Sequence, residues 1–189
     1  MIFCLSIMAY AQTPQDRATE LKKQAQSSLN QKDYIKARYL FKKAYEAFAS
    51  RENYPQAIEC GVQANALYVR ENFYKEGFEL CRDMEQLLWT GEQNKKKVFY
   101  DLRFLINKER LQMYTALKNP AQAKTQLDKL EEMANLAKND SLTEVLLYTK
   151  ANYYYTFNQS TQGDACFRKL INQYKDCLLY TSPSPRDRG

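Results

Sequence analysis

Asp33-Tyr34-Ile35-Lys36-Ala37-Arg38-Tyr39-Leu40-Phe41-Lys42-Lys43-Ala44 is the stretch that decides the fold of this chain. Ala37, Phe41 and Ala44 recur at helical spacing, so they share one face of an α-helix. A small side chain at Ala37 lets a second helix approach closely, while the Phe41 ring fills the groove beside it. The same register returns three times. Phe73-Tyr74 precede Gly77, Cys81 and Met84; Asn119-Pro120 precede Ala123, Leu127 and Leu130; Gly163, Phe167 and Leu170 follow. Nine positions ahead of each small residue stand Ser28, Tyr68, Tyr114 and Tyr154. These in turn follow apolar or small residues at helical spacing: Leu21 and Ala25, Ala64, Leu111, Leu147 and Ala151. The repeating unit is therefore a helix, a tight turn and a second helix, and self-similarity at so long a period marks a stacked array.

Breakers and caps predict helices at about 14–30, 33–51, 54–71, 73–90, 94–118, 120–138, 141–157 and 160–176. Turns are expected at Gln31-Lys32, Glu52-Asn53, Asn72, Gly91-Glu92-Gln93, Asn119, Asn139-Asp140 and Asn158-Gln159. Ser141 with Glu144 reads as a capping box. Pro120 suits a first helical position, where its missing N–H is no loss.

The pattern resembles the tetratricopeptide repeat, with small residues in both helices, an aromatic late in the first, and a small residue then an aromatic in the second. The resemblance covers residues 14–176. It departs from the family in three ways. The small residues 37, 77, 123 and 163 are farther apart than the usual repeat of about 34. The Trp-x-x-Leu-Gly opening is absent, the single tryptophan being Trp89, and the hairpin-ending proline is mostly missing, although Pro55 lies close to a helix start.

What the resemblance implies is an all-α solenoid of about four antiparallel helix hairpins, non-enzymatic, whose partner is a protein or peptide. In such arrays first-helix side chains line an open concave surface. Its candidate contacts here are Lys22, Gln26, Asn30, Arg70, Lys108, Gln112, Tyr148, Asn152 and Tyr155. One tetratricopeptide subclass grips a terminal carboxylate with Lys and Asn. Lys22 matches its first Lys, but Gln26 and Gln63 stand where Asn belongs, so that activity is not expected.

Composition agrees with a folded helical chain. Of 189 residues 44% are apolar and only five are Gly and five Pro, too few turn residues for an all-β fold. Histidine is absent, which removes Ser-His and Cys-His nucleophile pairs and His-ligated zinc. No Gly-rich phosphate loop occurs, and adjacent carboxylates such as Glu131-Glu132 diverge on a helix. No catalytic residue, cofactor or metal ligand is expected. Of the net charge of +6, +5 belongs to residues 12–176, where charges are interleaved along helices, with Lys95-Lys96-Lys97 the one basic run. A nucleic-acid footprint needs a denser stripe, so nucleic acid is not expected as a partner.

Both ends read differently from the body. Ile2 to Met8 is apolar and is followed by Ala9-Tyr10-Ala11, the small-x-small triplet of a signal peptidase site, so residues 1–11 are expected to be an incomplete signal peptide without its charged start. Cys177-Leu178-Leu179-Tyr180-Thr181-Ser182-Pro183-Ser184-Pro185-Arg186-Asp187 resembles a translated sequencing adapter, which makes residues 177–189 a non-native tail and 12–176 the repeat domain of a fragment. Cys60, Cys81 and Cys166 then remain as small core residues. Cys60 and Cys81 could face each other across one helix pair, where an oxidising compartment would permit a disulfide.

Tyr153-Tyr154-Tyr155 suggests ring stacking on a ligand. Only Tyr154 falls on the core register, with Tyr153 and Tyr155 pointing elsewhere, and the run suits repeat-to-repeat seams better. The whole resembles the exported sensory half of Bacteroidetes regulators, in which a periplasmic tetratricopeptide array precedes a membrane helix and a cytoplasmic signalling domain. That resemblance implies a periplasmic input module, with membrane attachment only through an anchor beyond Asp176. A free periplasmic scaffold without signalling output is the other reading.

Overall fold

The computed structural model describes residues 14–181 of the chain, and side chains from 17 to 173. The expected signal peptide lies outside the described residues, as does the tail from Ser182 onward. Among the described residues the chain is entirely helical: α1 (Pro14–Asn30), α2 (Tyr34–Ala49), α3 (Tyr54–Arg70), α4 (Tyr74–Lys95), α5 (Tyr100–Ala116), α6 (Pro120–Ala137), α7 (Asp140–Thr156) and α8 (Ser160–Thr181). They form two compact units that divide between Gly91 and Glu92, inside the last turn of α4. In the first unit α2 packs on both α1 and α3. In the second, α5 packs on α6, α7 on α8, and α7 also touches α5 and α6.

One turn design joins the helices. Each of Lys32, Glu52, Asn72, Lys96, Lys118, Lys138 and Asn158 has a φ between 50° and 63°, in the left-handed region. That residue reverses the chain, and after each of them but Lys138 the next N–H reaches back over it to a helical carbonyl. Asp33 donates to Ser28 (2.9 Å), Asn53 to Phe48 (3.1 Å), Phe73 to Tyr68 (2.9 Å), Asn119 to Tyr114 (2.9 Å) and Gln159 to Tyr154 (2.8 Å). This is a Schellman closure, which satisfies carbonyls that the helix end would leave orphaned.

The donor residue then opens the following helix. Side chains of Asp33, Asn53 and Asn119 accept from the backbone N–H groups of Lys36, Gln56 and Gln122. Its carbonyl accepts from the small residue four positions on: Ala37 on Asp33, Gly77 on Phe73, Ala123 on Asn119, Gly163 on Gln159. The nine-residue offset in the sequence therefore has a backbone cause. Five residues close the turn, and four more complete the first helical bond. Ala57 takes the same place after Asn53, so the small-residue rule also operates at the α2–α3 turn, which the sequence pattern did not include.

All four small residues are buried, together with Phe41, Cys81, Leu127 and Leu130. Gly61, which the sequence register passed over, marks a tighter approach. A Cβ on it would lie 2.5 Å from Met84 Sδ and 3.3 Å from Tyr45 Cδ2, so glycine lets α3 pack closely on both without displacing the Met84 side chain.

Three expectations need correction. The turn expected at Gly91-Glu92-Gln93 is helical, α4 runs on to Lys95, and the helix expected from 94 begins instead at Tyr100. Gly91 serves close packing, since a Cβ there would lie 2.7 and 2.8 Å from Tyr54 Cε1 and Cε2. Ser141 and Glu144 do not form a capping box, because Asn139 is the cap and its side chain accepts from the Ser141 N–H (3.0 Å). Helix α8 does not stop at 176 but continues to Thr181.

The α4–α5 connection closes in the same way, Lys97 donating to the Glu92 carbonyl (3.3 Å), but α5 is opened by a different device. Phe99 opens α5 without a side-chain cap. Glu92, buried at the end of α4, replaces it: its Oε1 accepts from the Phe99 N–H (3.0 Å) and from Arg103 Nε (2.8 Å), and its Oε2 pairs with Arg103 Nη2. The hydrogen bonds from Arg103 hold the Glu92 carboxyl below its ordinary range.

Candidate functional site

The second unit carries a groove of about 400 Å³ between α5 and α7. From α5 come Lys108, Leu111, Gln112, Thr115 and Ala116, with Lys118 from the turn that follows; from α7 come Val145, Tyr148, Thr149, Asn152, Tyr153 and Thr156. Helical spacing explains the selection, because positions 108, 111, 112 and 115 repeat at three and four, as do 145, 148, 149 and 152. Leu111, Thr149 and Tyr153 are buried and make an apolar floor. Tyr148 is 56% exposed and stands at the mouth.

Four of the expected partner contacts therefore meet: Lys108, Gln112, Tyr148 and Asn152. Lys108 Nζ lies 3.2 Å from Oε1 of the buried Glu109, which fixes the lysine where it borders the groove. The Thr149 and Thr156 hydroxyls donate back to Val145 and Asn152 carbonyls (2.7 and 2.8 Å), leaving their methyl groups for apolar contact. The amides of Gln112 and Asn152 are exposed. Amide groups of this kind pair with an extended main chain, which offers both donors and acceptors.

The other expected contacts lie elsewhere. Tyr155 is not a groove residue. Its hydroxyl donates to Asp164, its ring stacks on Phe167 at 5.8 Å between centroids, and a Cβ on Gly163 would come within 2.9 Å of Cε2. It belongs to the α7–α8 seam, and its hydrogen bond to Asp164 raises the phenol's pKa. Tyr153, expected to point away from the core, is buried beside Tyr154 and Phe157 at 5.4 and 5.0 Å between rings. The sequence run thus supplies one floor residue, Tyr153, one residue packed on the core, Tyr154, and one seam residue, Tyr155.

In the first unit Lys22 is spent on α3, donating to Gln56 Oε1 (2.9 Å) and pairing with Glu59 Oε2 (2.7 Å). Gln26 donates to Asn30 (3.1 Å) along exposed α1, and Arg70 lies 3.9 Å from the Tyr34 ring centroid. These four do not converge on the groove. The Lys22 contacts nevertheless set α1 beside α3, as α5 is set beside α7, so successive first helices are neighbours in each unit.

Cys60 is a buried thiol, not bridged to Cys81. Burial pushes its pKa up to about 12, which makes it an unreactive core group. Among the described residues no cluster of three or more Cys, Asp or Glu is placed to hold a metal ion, and no helix is long and apolar enough to cross a membrane. Comparison with known proteins yields no matching family model and no matching curated relative.

Proposed function

We propose that this chain is a non-enzymatic helical-repeat module of the tetratricopeptide type, a solenoid of about four antiparallel hairpins that binds a protein or peptide segment. The observation that carries the reading is the α5–α7 groove. Its residues come from two helices that occupy the same place in the sequence repeat, and it joins an apolar floor at Leu111 and Tyr153 to an exposed ring at Tyr148. An extended segment would place one apolar side chain on that floor, with its main chain against Gln112 and Asn152.

In its wider role the chain is an input module, the exported periplasmic sensing region of a membrane-anchored signalling or transcriptional regulator. The resemblance of its repeat and leading segment to such regions supports this. A free periplasmic scaffold is the competing reading, and gene sequence beyond Asp176 separates them: a membrane span followed by a cytoplasmic domain favours the regulator.

Selection of a displayed random-peptide library on the immobilised protein tests the binding reading. Enriched peptides should share an apolar anchor residue. Their amide-exchange protection should fall on α5 and α7, around residues 108–116 and 145–156. Absence of any enriched sequence, or protection confined to other helices, would count against it.

A further inference from the structure

The first unit carries another surface, on α2. Ile35 and Tyr39 are 69% and 60% exposed, more than any other large apolar side chain among the described residues. They lie one helical turn apart, so they form a single patch. Exposed apolar groups grouped in this way mark a place where something docks.

Beside them is a concavity of about 410 Å³, lined by Ile35, Arg38, Tyr39, Lys42, Lys43 and Glu46 of α2, with Tyr68 of α3. Three of these side chains are cations and one is a carboxylate. Glu46 is held by Lys43 at 2.8 Å, and Lys43 Nζ also lies 5.9 Å from the Tyr39 ring centroid. Arg38 is fixed over the rings of Tyr68 and Phe73, at 4.8 and 5.1 Å, and paired with Glu71. Lys42 has no ion-pair partner among the described residues. The cavity is therefore apolar on one side and polar on the other, where two cations are held in ion pairs and a third, Lys42, is unneutralised.

We propose that this face of α2 binds an acidic peptide segment carrying an apolar side chain, which enters beside Ile35, Tyr39 and Tyr68 while a neighbouring carboxylate pairs with Lys42. Charge complementarity selects the occupant. A second copy of the chain, with a net charge of +6, is a poorer match for an unneutralised lysine than an acidic segment. The concavity suits a projecting side chain better than the flat face of a bilayer. The proposal concerns the first unit alone and does not depend on the α5–α7 groove.

Fluorescence anisotropy with the full chain tests it, using a short fluorescein-labelled peptide of alternating Glu and Leu and a control with Lys for Glu. The acidic peptide should bind and the basic one should not. Lys42→Glu and Tyr39→Ala should each weaken binding by about tenfold or more, a loss near 1.4 kcal/mol. Lys75→Glu, the same charge reversal at an exposed site on α4, should leave it nearly unchanged. Far-UV circular dichroism melts confirm that the exposed-site variants are folded. No binding of the acidic peptide, equal binding of both peptides, or an equal loss in Lys75→Glu would overturn the proposal. So would binding of phosphatidylglycerol-containing vesicles in place of the peptide.

Discussion

Gly91 presses its backbone against the face of Tyr54: a Cβ built there would lie within 2.8 Å of both Cε atoms of a ring that is itself buried. A glycine near the end of α4 looks like a helix stop in the sequence. Here it is the reason α4 can lie close to the start of α3.

Gly91→Ala should therefore destabilise the protein, although alanine is the better helix former by about 1 kcal/mol. The ring cannot move without disturbing its neighbours, so overpacking should cost a net of about 1–3 kcal/mol. Shrinking the ring should remove the conflict, so Tyr54→Leu combined with Gly91→Ala should cost less than the two single changes added together. Urea denaturation of the four proteins measures this. An alanine variant as stable as the parent would show that the contact is not tight.

The seven left-handed turn residues suggest the opposite kind of change. Lys32, Lys118 and Lys138 have φ values of 63°, 53° and 50°, where an L side chain is strained and glycine is not. Replacing each with Gly should stabilise the protein by about 0.5–1 kcal/mol, whereas Ala at the same sites should give no gain. Thermal melts of the three glycine variants and their alanine counterparts check the claim. Destabilisation by glycine at all three would mean that these turns do not adopt the left-handed form in solution.

How far the sequence revealed this architecture follows from the turns. Asp33, Asn53 and Asn119 advertise helix starts, and the spacing of Ala37, Gly77, Ala123 and Gly163 fixes the register, so helix boundaries are legible to within two residues except around the α4–α5 connection and at the end of α8. The helix ends were harder, because the usual signal is a left-handed glycine and this chain uses Lys, Glu or Asn instead. The α4–α5 connection was misread for a related reason: its cap is supplied by Glu92, seven residues before the N–H it satisfies, so no local motif announces it. In the groove, Lys108, Gln112, Tyr148 and Asn152 are legible as first-helix positions not spent on packing. Tyr155 was not separable from them, because only the space left by Gly163 turns its ring toward α8. Leu111 and Tyr153 were read as core or seam, and a side chain that is core on one face can be a groove floor on another.

The Glu92–Arg103 pair gives a pH-dependent prediction. The folded carboxyl titrates below its ordinary value near 4.5, so its contribution to stability is present above that value and disappears as pH falls through the lower folded value. Glu92→Gln loses the charge-assisted bonds and should be less stable at neutral pH by about 1–3 kcal/mol. The gap between parent and variant should shrink as the medium is acidified below about pH 4.5 and be nearly gone where the parent's Glu92 is itself protonated. Paired urea titrations across this range provide the measurement. A gap that stays constant, or widens, in acid would show that the carboxylate is not what caps α5.

The central functional claim is that the α5–α7 groove is where a partner segment binds, and isothermal titration calorimetry with a library-selected peptide tests it most directly. Tyr148→Ala, which removes an exposed ring and leaves the floor intact, should weaken binding by about tenfold or more, equivalent to 1.4 kcal/mol. Asn152→Ala should also weaken it at the parent's melting temperature, whereas Tyr148→Ala, which also loses an edge-on contact with Phe167 at 6.2 Å, should remain folded with a slightly lower melting temperature. Undiminished affinity in both variants would contradict the account, because the peptide would then be held somewhere other than this groove.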